Sequence, residues 1–145
     1  MGVCTFFGHS ECPESVRKDV MEIMENLICE NSVSEFLVGD KGNFDRIVIG
    51  VLRDMKRRHP NIRYSVVLSS LQKRGDFDYT ETVFPEGIEM VPPKFAISWR
   101  NRWMIKRADY VIAYVCHSWG GAAQVPEYAS KQKKKVINLG SMQFE

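Results

Sequence analysis

Two hydrophobic patterns alternate along this chain. Short, largely apolar runs at Val3 to Phe7, Glu35 to Val38, Tyr64 to Leu68, Tyr110 to Cys116 and Val136 to Leu139 predict five strands. Between them apolar residues recur every three or four positions. Val16, Val20, Ile23, Met24, Leu27 and Ile28 predict one helix. Phe44, Ile47, Val48, Val51, Leu52 and Met55 predict a second, from about Asn43 to Arg58. Two more are expected at Phe95 to Arg107 and Gly121 to Lys133. Strand and helix alternation over the whole length predicts a single three-layer α/β domain over residues 1–145. The expected architecture is Rossmann-like, with a mainly parallel five-stranded sheet in the order 3-2-1-4-5 and right-handed crossovers. The third strand is apolar apart from Ser65, as burial on both faces requires. Ser69 to Lys94 shows no period and is long for a structureless loop, so a lid or binding loop is expected there.

Three turns rich in glycine or polar residues follow predicted strands: Gly8-His9-Ser10, Gly39 to Asp45, and His117 to Gly121. Parallel sheets bind ligands beyond the carboxyl ends of their strands, at the switch in strand order. In the expected order the first and fourth strands flank that switch, and the second lies beside them. Glycine lets a ligand approach the backbone closely, and a helix start offers unpaired N–H groups to an anion. The same turns also serve as plain strand-to-helix corners. Gly39-x-x-Gly42 and Gly120-Gly121 both fall short of the dinucleotide fingerprint, and no Walker lysine motif is present.

Composition narrows the classes. A chain of 145 residues with net charge +2 shows no strong pull toward polyanions, so nucleic acid is not an expected partner. The basic group Arg53, Lys56, Arg57 and Arg58 reads as a solvated helix face. No apolar run is long enough to span a bilayer, and the start of the chain lacks a signal-peptide pattern. No membrane partner is therefore expected. Cys4, Cys12, Cys29 and Cys116 match no zinc spacing. The expectation is a reduced, cytoplasmic protein with no metal and no cofactor.

Gly120-Gly121-Ala122-Ala123-Gln124-Val125-Pro126-Glu127 resembles the P-G-G-x-G-T-x-x-E motif of the LONELY GUY phosphoribohydrolases. Trp99-Arg100-Asn101-Arg102-Trp103-Met104, with Ala108-Asp109 after it, resembles the R-K-x-x-M…D segment of that group. Phe7-Gly8-His9 and the Gly39 to Asp45 turn look more like the YpsA-like branch. Both branches belong to the SLOG superfamily of Rossmann-like domains. The resemblance implies phosphate-loop glycines at Gly120 and Gly121 and a catalytic pair at Glu127 and Arg100. The three converging turns, with the residue beside Arg100, make Gly8, His9, Gly39, Gly42, Asp45, Asn101, Ser118 and Trp119 candidate ligand contacts. The family chemistry cleaves an N-glycosidic bond, where a carboxylate stabilises the charge built on the sugar.

Departures from the motif shift the expectation. Ala123 stands for the third glycine, Gln124 for the threonine, Ser118-Trp119 for the preceding proline, and Asn101 for the lysine. The expected function is therefore binding of a nucleotide or nucleotide-derived small molecule, as a sensor or carrier. The alternative is an N-glycosidic hydrolase or transferase acting on a nucleoside 5′-monophosphate through Glu127 and Arg100. A third reading is an interaction module with purely structural glycine turns. Glu127 is equally a first-turn acid favoured by the helix dipole. Asp45 is a helix cap or a ribose acceptor, and Trp119 stacks on a base or on a neighbouring subunit. The resemblance and the aromatic-rich loop imply a homo-oligomer.

Overall fold

The computed structural model describes residues 2–69, 81–119 and 121–140. Among these the chain runs β1 (Gly2–Gly8), α1 (Val16–Asn31), β2 (Val33–Val38), α2 (Gly42–Arg58), β3 (Arg63–Val67) and β4 (Thr82–Val83). It continues through α3 (Ala96–Arg107), β5 (Tyr110–Tyr114), α4 (Val125–Lys131) and β6 (Lys135–Asn138). The sheet has six strands in the order β4-β3-β2-β1-β5-β6, and every neighbouring pair is parallel.

The five predicted strands occupy the expected order. The addition is β4, which pairs Thr82 and Val83 with Val66 and Val67 at the outer edge. A two-residue strand is too short to carry a period, so it escaped notice in the patternless stretch. The described part of that stretch packs down on the sheet: Ile88 is buried and Phe84 lies against the core. Arg53 donates to Glu81 at 2.8 and 2.9 Å, tying α2 to this segment. This member of the basic group is therefore paired as well as solvated. Residues 70–80 of the expected lid, with Phe77 and Tyr79, lie outside the described residues.

Strand alternation divides the core into two layers. Cys4, Phe6, Phe36, Val38 and Val66 face α1 and α2. Phe7, Leu37, Val67 and Val111 face Met104 and Ile105 of α3 and Val125 and Ala129 of α4. Thr5 is buried in the central strand and donates its hydroxyl to the Leu37 carbonyl at 2.9 Å. Helix α1 buries Val16, Val20, Met24 and Leu27, the face its spacing predicted. The last helix differs from expectation. A 3-10 turn spans Gly121–Gln124, and the α-helix begins only at Val125. Pro126 stands in the first turn, where its missing N–H breaks no helical bond. Among the described residues no helix is long and apolar enough to cross a membrane.

Candidate functional site

The three sequence-predicted turns meet at the carboxyl ends of β1, β2 and β5. Asn43 N–H donates to the Ser10 carbonyl at 2.9 Å, joining the first turn to the second. His9 N–H donates to the Tyr114 carbonyl at 3.3 Å, and Cys116 N–H donates to His9 Nε2 at 3.0 Å. Two glycines allow this closeness. A Cβ at Gly8 would stand 2.2 Å from Cγ of Phe44. Gly42 has φ +87°, and a Cβ there would meet Ser10 Cα at 2.7 Å.

The bond from Cys116 makes His9 Nε2 an acceptor, so the neutral ring carries its proton on Nδ1. Burial, and then the neighbouring His117, lower the His9 pKa and favour that neutral form. The His9 ring stacks on His117 with centroids 3.6 Å apart, and His117 stacks on Trp119 at 3.7 Å. The result is a column of three rings. It starts at buried His9 and ends at Trp119, which is 69% exposed.

Below the column lies a charged floor. Arg100 is only 3% exposed. Its Nη1 donates to Asp40 Oδ1 at 2.6 Å and to the Val67 carbonyl at 3.3 Å. Its Nε and Nη2 donate to Asn101 Oδ1 at 3.3 and 3.1 Å. Asp45 accepts the Lys41 N–H at 3.0 Å, at the start of α2. Burial pushes the Asp45 carboxyl up to about 7, against the opposing pull of Arg100 and that N–H. A Cβ at Gly39 would come within 2.9 Å of both Arg100 Nη2 and Asp45 Oδ2, so this position must stay small. Among the described residues, Asp40 Oδ2 and His117 Nδ1 are buried with no hydrogen-bond partner.

These groups border an open cleft of about 450 Å³. Of the predicted residues, Gly8, His9, Asp45, Arg100, Asn101 and Trp119 line it. A second hollow of about 100 Å³ adjoins it along α3, with Asn101 in both walls and Arg102, Gln124 and Tyr128 in its own. Gly39 and Gly42 shape the floor without lining it, and Ser118 is exposed beside Trp119. Gly120 lies outside the described residues, and Gly121 opens the 3-10 turn. Glu127 is not brought to the cleft. Its side chain is 73% exposed and faces Lys131 at 3.3 Å, one helical turn on. Asp40, Lys41 and His117 were not among the predicted contacts. An acid and a lysine inside a glycine turn at a strand end were the available signal.

No protein-family model and no curated protein sequence matches the chain. Solved structures do. DNA processing protein A from Streptococcus pneumoniae superimposes with a TM-score of 0.72 at 16% identity. It covers all of this chain, which spans 52% of the pneumococcal protein. DNA processing protein A from Helicobacter pylori, described for its single-stranded DNA binding mode, gives 0.64 at 17% identity. That match covers 99% of this chain and 67% of the other. The likeness establishes the fold, a Rossmann-like α/β domain built on a parallel sheet.

These neighbours correct two expectations. A nucleotide or nucleotide-derived small molecule, with the hydrolase alternative on Glu127 and Arg100, gives way because the similar structures are DNA processing proteins, one described for binding single-stranded DNA. The exclusion of nucleic acid gives way with it. It rested on a net charge of +2, a sum over the chain that says nothing about where the charges stand.

Proposed function

We propose that the protein binds single-stranded DNA along the cleft at the carboxyl ends of β1, β2 and β5. The observation that carries this reading is the ring column with Trp119 exposed at its end. An exposed aromatic face backed by further rings is a platform on which an unpaired base stacks, whatever its identity. A duplex hides its base faces, so the platform selects single strands. The adjoining hollow along α3 supports a chain ligand over a lone nucleotide, since it continues the track past Asn101 to Arg102. Lys41 in the cleft wall and Arg102 in the hollow supply cationic groups for phosphates. Arg100 organises the floor, because its donors are already engaged by Asp40, Val67 and Asn101.

Within the SLOG type, the Phe7-Gly8-His9 turn and the Gly39 to Asp45 turn support a placement near the YpsA-like branch. We assign the protein to the cytoplasm, a reading supported by four cysteines that form no disulfide among the described residues.

The test is fluorescence anisotropy with a labelled single-stranded oligothymidine and the matching duplex. The wild type should prefer the single strand. Trp119→Ala should weaken binding by about 1–3 kcal/mol, roughly 5- to 150-fold, without unfolding the protein. Equal affinity for duplex, or an unchanged affinity in Trp119→Ala, would refute the reading.

A further inference from the structure

We infer that Glu25, Cys29 and His59 form a binding site for one divalent transition-metal ion of the zinc class. The site lies at the opposite end of the molecule from the cleft. Helix α1 ends where β2 begins, and α2 ends where β3 begins, so both helix ends lie at the amino ends of the strands. Glu25 and Cys29 are four residues apart on α1 and therefore neighbours on one face. His59 caps the C-terminus of α2 and reaches across to them. Its Nε2 lies 2.8 Å from Glu25 Oε2. The imidazole nitrogen, the thiol sulfur and the carboxylate oxygen all lie within 4.8 Å of one another. Ligands of a tetrahedral zinc ion stand about 3.5 Å apart, given bonds of about 2.0–2.3 Å. Small side-chain rotations are enough to reach that geometry.

The donor set selects the ion. One thiolate, one imidazole and one carboxylate suit zinc or cobalt and do not suit magnesium or calcium, which demand oxygen. Three protein ligands leave the fourth position to water. The C-terminal ends of α1 and α2 both direct partial negative charge at this spot; the last turn of α1 carries no basic residue, while that of α2 carries Lys56, Arg57 and Arg58. Cys29 is exposed, so an ion reaches it without unfolding. On binding, the contact between His59 Nε2 and Glu25 gives way to bonds to the ion, the neutral imidazole keeping its proton on Nδ1, and the Cys29 thiol loses its proton to solvent. The bound ion ties α1 to α2 and leaves the cleft unchanged.

The experiment is a titration of the reduced, tag-free, chelator-treated full chain with cobalt(II), read by absorption. The expected result is a thiolate-to-cobalt charge-transfer band with tetrahedral ligand-field bands, saturating at one ion per chain and bleached by zinc. Cys29→Ser and His59→Gln should each abolish the band, while Cys12→Ser and Cys116→Ser keep it. Circular dichroism confirms that each variant is folded. As a second readout, zinc should raise the Tm of the wild type and not that of Cys29→Ser. No saturable band, a band that survives in Cys29→Ser, or a Tm rise common to both proteins would overturn the assignment. DNA binding by Cys29→Ser should match the wild type, which separates this test from that of the cleft.

Discussion

Arg100 and Asp45 decide the character of the cleft floor. Removing the guanidinium in Arg100→Ala would leave Asp40, whose side chain is 0% exposed, as a buried charge with no partner. Breaking such a pair costs about 3–5 kcal/mol, and denaturant titration should show a loss of that size. Arg100→Lys should not restore it, because one ammonium cannot reach Asp40, the Val67 carbonyl and Asn101 together. Asp45 acts through its proton. Its carboxyl titrates at about 7 in the folded protein, against 3.8 ordinarily. Between these values the folded state holds a proton that the unfolded state has released. This contribution to stability therefore falls as pH rises through the window, by at most about 1.4 kcal/mol per pH unit. His9 works the other way, its lowered pKa favouring the folded state as pH rises. The informative quantity is thus the difference between wild type and Asp45→Asn in urea midpoints at several pH values. That difference should shrink toward acid pH, where both carry a neutral group. Ionised Asp45 also repels phosphate, so wild-type affinity for the oligonucleotide should fall above neutrality and that of Asp45→Asn should not.

The elements meet through their turns, and the turns tolerate little change. Phe44 is fully buried at the start of α2, and Gly8 at the end of β1 rests on its ring. Gly8→Ala would force atoms into that contact and should cost about 1–3 kcal/mol by thermal or denaturant unfolding. Gly42→Ala combines an unfavourable positive φ with a collision against the Ser10 backbone, so neither neighbour can yield easily. Both variants should weaken DNA binding in step with stability, whereas Trp119→Ala should weaken binding alone. The elements themselves were readable. Spacing of Val16, Val20, Met24 and Leu27 identified the buried face of α1, because a helix meeting one core must repeat its contacts every three to four residues. The two-residue β4 and the 3-10 start of the last helix carry no such repeat.

For the whole molecule, the arrangement of charge matters more than its sum. Lys41 and Arg102 stand on the walls of the two adjoining hollows, so a bound strand would have about two phosphates neutralised. For single strands this gives a slope of log affinity against log salt of about −1.4, and Arg102→Ala should flatten it by about 0.7. A titration from low to moderate salt measures both. A short oligomer should bind more tightly than a mononucleotide, because only the oligomer reaches the second hollow.

Local pattern determined the strands, the helices, the parallel order of the five main strands and the three turns at one sheet edge. These follow from which residues can be buried at periods of two and 3.6, and from the handedness of crossovers. Tertiary structure alone decided which of the marked residues act together. Arg100 meets Asp40 across 60 positions, and His9 meets Cys116 across 107. Glu127, prominent in its motif, turns instead to Lys131 on the outer face of α4. His117, marked only as the start of a polar turn, becomes the middle ring between His9 and Trp119. Cys29 and His59 meet only because two helices end at the same place. Such pairings depend on packing distances between elements, and those distances have no signature in the spacing of residues along the chain.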